Sequence, residues 1–107
     1  SDFPVEAPNP LFGFHAAVAR QDAKNFPAGG YQMTNAVDRK SALLAMTRWA
    51  AYACFEDHLR GSIAPGKQAD FVVLDRDIMT VPNEQLRDTK VRQTWINGEK
   101  IFSTGKN

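Results

Sequence analysis

GSIAPGKQADFVVLD, Gly61 to Asp75, joins a turn signal to a buried-strand signal within one short segment. Pro65-Gly66 is the turn: proline presets the φ wanted at the second position of a type I or II turn, and glycine accepts the positive φ that type II needs at the third. The run Phe71-Val72-Val73-Leu74, aromatic and β-branched and bounded by Asp70 and Asp75, predicts a strand covered on both faces. Such a strand needs partners, and Val91 to Ile96 and Glu99 to Phe102 are the candidates. Between those two runs stands Asn97-Gly98, the dipeptide that favours a two-residue hairpin turn.

Upstream, the apolar spacing changes from strand-like to helical. Asn9-Pro10 offers an N-cap followed by proline at the first helical position. Leu11, Phe14, His15 and Val18 then share one face, which predicts a helix from about Pro10 to Gln21. Asp38 can cap a second helix, predicted over Arg39 to Phe55, in which Ala42, Leu43, Met46, Trp49, Ala50 and Ala53 recur at intervals of three and four. Its alanine-rich flank, Ala50, Ala51 and Ala53, allows a close approach by another element. Asp22 to Ala36 carries Pro27, Gly29 and Gly30 without periodicity and reads as a long loop of the functional kind. Pro4 and Pro8 keep Ser1 to Pro8 out of regular helix, and a single helical turn is expected after Pro82. Helices precede strands, so the isolated chain reads as α+β, or as the tail of a larger α/β protein whose final strands form a small separate sheet.

At 107 residues the chain can build one modest core. Its 43% hydrophobic and 23% charged residues are those of a globular protein, not a disordered or fibrous one. Thirteen basic against twelve acidic residues give a net charge of +1 with no long block of either sign, so no nucleic-acid or membrane partner is expected. No apolar run approaches the roughly 18 residues of a membrane span. A single cysteine, Cys54, excludes an internal disulfide and is expected to be a small buried hydrophobe. With no signal sequence visible, the expected location is cytoplasmic. The chain starts at Ser1, not at methionine, as a piece of something longer would.

Three segments together resemble the C-terminal end of the metal-dependent amidohydrolase superfamily, in particular its YtcJ-like branch. The first is Ser1-Asp2-Phe3-Pro4-Val5 with Pro10-Leu11-Phe12-Gly13 and Ala16-Ala17-Val18-Ala19-Arg20. The second is Ser41-Ala42-Leu43-Leu44-Ala45-Met46-Thr47 with Ala50-Ala51-Tyr52-Ala53. The third runs from Gly61-Ser62-Ile63 through Pro65-Gly66-Lys67 and Ala69-Asp70-Phe71-Val72-Val73-Leu74-Asp75 to Trp95-Ile96-Asn97-Gly98. The resemblance implies that residues 1–58 are the end of a (β/α)8 barrel and that 59–107 are the C-terminal strands of a small β-sandwich built from both ends of the parent chain. It also implies a role for Asp2, as metal ligand or metal neighbour and as the carboxylate that moves a proton from attacking water to the leaving group. The implied parent is a hydrolase of non-peptide carbon–nitrogen bonds with a small amide-type substrate and a divalent metal, zinc foremost. The family's His-x-His pair, bridging lysine or acid, and two later histidines are not in this chain, whose histidines are His15 and His58. No cofactor is therefore expected in this chain alone, and the fragment is expected to be inactive. The alternative is a non-catalytic α+β module for oligomerisation or binding.

The remaining candidates have plainer readings. His15, on the apolar side of the first helix, reads as a satisfied or half-exposed side chain, and His58, among Glu56, Asp57 and Arg60, as a solvated end residue. Arg20 reads as a surface or C-cap arginine, and Asp70 as a turn or strand-edge hydrogen-bond acceptor. Gly29-Gly30 lacks the strand and helix that a phosphate loop requires. Trp49, Trp95, Phe71 and Phe102 are expected in the core and sheet. Helices cut from a barrel leave apolar faces open, so a homo-oligomer is expected, most simply a two-fold dimer.

Overall fold

The computed structural model describes Asp2 and residues 4–105. In chain order the elements are α1 (Pro10–Ala19), α2 (Arg39–Met46), α3 (Arg48–Ala53), β1 (Phe71–Leu74), β2 (Val91–Ile96) and β3 (Glu99–Ser103), with 3-10 turns at Met33–Asn35 and Asn83–Asp88. Helices precede a three-stranded sheet of order β1-β2-β3, so the described chain is α+β. It divides into two compact units. One comprises the residues up to Leu43 with Ile78–Thr89, and the other Leu44–Asp77 with the residues from Lys90 onward.

The first unit is built around α1. Asn9 is extended (φ −65°, ψ 114°) and its side chain accepts from the Leu11 N–H, while Pro10 takes the first helical position. The helix ends at Ala19, short of Gln21, because Arg20 turns left-handed (φ 55°) and returns its N–H to the Ala16 carbonyl. Leu11, Phe14, His15, Val18 and Ala19 are buried along it. The Asn83–Asp88 turn packs on α1 and contributes Leu86, which is 1% exposed. The Arg87 guanidinium lies 3.8 Å from the centre of the Phe12 ring. Arg39 anchors the same stretch, donating to the Ile78 carbonyl and to Asn83 Oδ1 at 2.8 Å each. Asp38 caps α2 as its position suggests, with its carboxylate oxygens accepting from the Ser41 N–H and the Ser41 hydroxyl at 2.8 Å each. Those two bonds, the backbone one first, hold the Asp38 carboxyl below the usual range.

The second unit corrects one helix. The span expected as a single helix over Arg39 to Phe55 is two, because Thr47 leaves the helical region (φ −125°, ψ −88°). Its N–H closes a tighter turn on the Leu44 carbonyl at 3.2 Å, and α3 restarts at Arg48. Neither proline nor glycine marks the break within the helix. The break falls where the Gly61 backbone comes against it: a Cβ at Gly61 would stand 2.7 Å from the Ala51 Cβ and 3.1 Å from the Arg48 Cα. A β-branched threonine gives up helical geometry at little cost, and Ala51 is small enough to admit the approach.

The sheet follows the turn signals. Lys67 N–H bonds the Ala64 carbonyl at 3.1 Å around Pro65-Gly66, and Gly66 has φ 88°. β1 and β2 pair antiparallel with Phe71 opposite Trp95, and these two rings stack with centroids 5.5 Å apart. β2 and β3 join through Asn97 and Gly98, both left-handed (φ 51° and 78°), as a tight hairpin turn requires. The register shifts between Val73 and Leu74 and between Thr94 and Trp95, local irregularities of the sort that increase twist.

Burial overturns several expectations. β1 is not covered on both faces: Val72 is 51% and Val73 39% exposed. Three strands make one layer, and one layer cannot bury both of its own sides. Trp49 on α3 and Phe102 on β3 are exposed as well, whereas Phe71 and Trp95 are half-buried by their stack. Cys54 is exposed, not buried. It is the C-cap of α3, a short helix whose buried residue is Ala51.

Candidate functional site

Asp2 precedes a turn over residues 4–6, and its carbonyl accepts the Glu6 N–H at 3.1 Å. Its side chain is exposed. Ser1 and Phe3, the neighbours that complete the serine-aspartate motif, lie outside the described residues. The carboxylate thus sits on a short proline-bearing lead into α1 and is accessible to solvent.

A metal centre needs several donors converging on one point, commonly three or four nitrogen, oxygen or sulfur ligands. Among the described residues no three His, Cys, Asp or Glu side chains converge in that way. His15 is fully buried in the first unit, with Nε2 2.9 Å from Asn25 Oδ1. His58 is exposed and belongs to the second unit. Asp2 is therefore in no cluster of three such donors among the described residues.

Other candidates resolve into structural roles. Asp70 accepts the Asn97 N–H at 2.7 Å and faces Arg60 at 3.9 Å, which is the strand-edge role expected of it. Asp75 lies at the other end of β1, where its Oδ1 accepts the Lys90 N–H at 3.0 Å and Arg76 grips both oxygens. The Arg76 side chain first, and then the Lys90 N–H, holds the Asp75 carboxyl below the usual range. Arg20 is the αL cap of α1 and donates from Nε to the Tyr31 carbonyl at 3.1 Å. A cavity of about 210 Å³ is lined by Ile63, Pro65, Lys67, Gln68, Asp70 and Phe71 among others. Lys67 there donates to Ser62 Oγ at 2.8 Å and Asp70 is committed to the sheet, so the cavity offers no poised acid or nucleophile.

The loop from Asp22 to Ala36 is well ordered by its own polar groups. Asp22 Oδ1 accepts the N–H groups of Lys24 and Phe26 at 2.8 and 3.1 Å. The Phe26 bond, then that of Lys24, lowers the Asp22 carboxyl. Gln21 Nε2 donates to the Pro27 carbonyl at 3.0 Å, and Tyr31 N–H to the Arg20 carbonyl at 2.9 Å. Phe26 and Tyr31 are displayed outward, 68% and 58% exposed. Sequence reasoning missed Asn25, whose left-handed backbone (φ 58°) and pairing with His15 shape this loop. An asparagine in an aperiodic stretch tolerates αL, but no spacing rule links it to position 15.

Known proteins supply the remaining finding. YtcJ of Bacillus subtilis (strain 168), assigned as an amidohydrolase, is 30% identical over 102 residues, which is 95% of this chain and 19% of that protein. The N-substituted formamide deformylase of Arthrobacter pascens is 33% identical over 98 residues, 92% of this chain and 18% of its own. Protein LONG AFTER FAR-RED 3 of Arabidopsis thaliana is 34% identical over 102 residues, 95% of this chain and 17% of its own. The chain thus spans less than a fifth of the length of these curated relatives. No solved structure matches it. The model of the Amidohydrolase family, whose members are generally metal-dependent, matches residues 1–102, from the Asp2 lead through both units to β3. The chain belongs to the amidohydrolase family.

Proposed function

We propose that this chain is the C-terminal portion of a hydrolase that cleaves non-peptide carbon–nitrogen bonds in small amide-type substrates, and that Asp2 is its proton-carrying carboxylate. The observation that carries the reading is the family match over residues 1–102 in a chain shorter than a fifth of its relatives. On this reading residues 1–58 are the end of a (β/α)8 barrel and 59–107 are the closing strands of a β-sandwich shared by both ends of the parent. The parent is cytoplasmic and uses a divalent metal, zinc foremost, with Asp2 as the one ligand this chain brings and the other donors coming from outside it. Asp2 then does what an accessible carboxylate at a strand end can do: it takes the proton of the attacking water and returns it to the departing nitrogen.

The test uses the parent protein, wild type and Asp2→Asn, on an N-substituted formamide, the substrate class named for the Arthrobacter pascens relative. Release of amine is followed, and Asp2→Asn should lower kcat by about 10²–10⁴ with the circular dichroism unchanged. Full activity in Asp2→Asn would remove that residue from the chemistry. No turnover of formamides, other N-acyl amines or ureas by the wild-type parent would remove the hydrolase reading. The 107-residue chain alone should be inactive.

A second reading concerns the chain by itself, as a non-catalytic α+β module for oligomerisation or binding. Trp49, Tyr52, Phe55 and Ile63, 51%, 70%, 87% and 86% exposed, favour it, because exposed apolar side chains in such number seek a cover. A two-fold homodimer is the simplest form. Light scattering on a sizing column should give twice the chain mass, and a monomer at high concentration would reject the homodimer.

A further inference from the structure

One buried polar side chain has no part in the proposed reaction. His15 is 0% exposed, and its Nε2 lies 2.9 Å from Asn25 Oδ1. The Asn25 amide is oriented by a second contact, since its Nδ2 donates to the Glu84 carbonyl at 3.4 Å. A carbonyl only accepts, so the amide nitrogen faces Glu84 and the amide oxygen faces the imidazole. An amide oxygen also only accepts. His15 must therefore donate from Nε2; in a neutral ring that leaves the lone pair on Nδ1, which has no hydrogen-bond partner among the described residues.

Asn25 is the corner of the loop that follows α1. It is left-handed (φ 58°), and its own N–H bonds the Asp22 carbonyl at 3.0 Å while Asp22 N–H bonds the Phe26 carbonyl at 2.8 Å. The side-chain pair with His15 is thus the link between that corner and the buried side of α1, and the Glu84 contact extends the link to the Asn83–Asp88 turn.

We propose that His15 is a latch that positions the loop from Arg20 to Tyr31, acting through its Nε2–H tautomer on Asn25. The latch keeps Phe26 and Tyr31 presented from a fixed frame, and it stands independently of the reaction assigned to the family. Asparagine at position 25 meets both demands, since it accepts the left-handed backbone more readily than most residues and supplies an acceptor and a donor from one planar group.

Two measurements on the full chain test this. Long-range ¹H–¹⁵N correlation spectra of the His15 ring at neutral pH should show a pyrrole-type Nε2 and a pyridine-type Nδ1; the opposite tautomer, or a pair of averaged nitrogens, would overturn the proposal. Amide hydrogen exchange supplies the second readout. His15→Leu should speed exchange at Asn25 and Phe26 by about tenfold or more, the equilibrium equivalent of losing one hydrogen bond of ordinary strength. The amides of β2 and β3 should keep their rates. His15→Gln, whose Nε2 reaches the place of the imidazole Nε2, should restore slow exchange, whereas His15→Asn, which mimics Nδ1, should not. Asn25→Ala, at a half-buried position, should reproduce the loss even if His15→Leu fails to fold. Unchanged exchange in Asn25→Ala, or rescue by His15→Asn in place of His15→Gln, would sink the latch.

Discussion

The two units of this chain achieve order by different means. In the first, α1 and the Asn83–Asp88 turn close over Leu11, Phe14, His15 and Leu86, which are 5%, 3%, 0% and 1% exposed. In the second, Ala51 is the buried apolar residue among those described. Cohesion there comes from the antiparallel ladder, the Phe71–Trp95 stack and the carboxylates of Asp70 and Asp75 bonded to backbone N–H groups at either end of β1. A sheet can satisfy its backbone alone, but it buries apolar side chains only against a second layer. Stability should therefore be uneven along the chain, and different in kind between the units.

The largest expected effect separates a core substitution from a sheet substitution. Leu86→Ala should cost roughly 2–5 kcal/mol, as truncation of a fully buried leucine does. Val72→Thr, which keeps the β-branched shape on an exposed strand face, should stay within about 0.5 kcal/mol. Urea unfolding measures both. If Val72→Thr proved as damaging as Leu86→Ala, the sheet face would be covered in solution and the contrast between the units would collapse.

A smaller effect is expected at the one tight backbone approach of the second unit. Gly61→Ala should cost roughly 1–3 kcal/mol, because Gly61 has φ 97° and its new Cβ would meet the Ala51 Cβ. The double variant Gly61→Ala/Ala51→Gly removes the 2.7 Å contact but leaves the left-handed strain and the approach to the Arg48 Cα and the Thr47 carbonyl oxygen, so a partial recovery of the unfolding midpoint would isolate the Ala51 share. Full recovery would mean that the backbone relaxes freely there.

The smallest effect is a pH dependence that should separate the units. Asp75 has its carboxyl lowered by Arg76 first and by the Lys90 N–H second. A carboxyl whose folded pKa lies below its unfolded value contributes stability above the unfolded value, about 3.9, and loses it as pH falls through the folded one. Protection of the β1 and β2 amides, relative to their intrinsic exchange rates, should therefore fall below about pH 4, and Asp75→Asn should flatten that response while leaving the first unit unaffected. The first unit has its own acid-sensitive carboxylates, Asp22 and Asp38, held low chiefly by the N–H groups of Phe26 and Ser41. If Asp75→Asn changed their neighbourhoods as well, the two units would be one cooperative body.

Much of this was legible in the residues. The Asn9-Pro10 start of α1, the Asp38 cap, the Pro65-Gly66 reversal, the Asn97-Gly98 hairpin and the 3-10 turn after Pro82 all appear at or near their signals. Family membership was legible too, from motifs spread along the chain. The break at Thr47 was not, because it falls where the backbone of Gly61, remote in sequence, comes against the helix. Nor was the exposure of Cys54, Trp49 and Phe102: an apolar residue at helical or strand spacing signals which face it shares, not whether anything covers that face. For the candidate site, the motif pointed to Asp2, and the family's missing histidines pointed to donors beyond this chain.

The features that the residues dictate on their own are local: caps, turns, the hairpin and the order of helices before strands. Each depends on the stereochemistry of a few neighbouring residues, such as a ring-locked φ at proline or a side-chain oxygen within reach of an N–H two or three positions on. That His15 meets Asn25, that Gly61 meets Ala51 and that the apolar strand β1 stays half open are visible in the folded chain alone. Those outcomes depend on which distant segments pack together, and a residue's own chemistry limits such pairings without selecting among them.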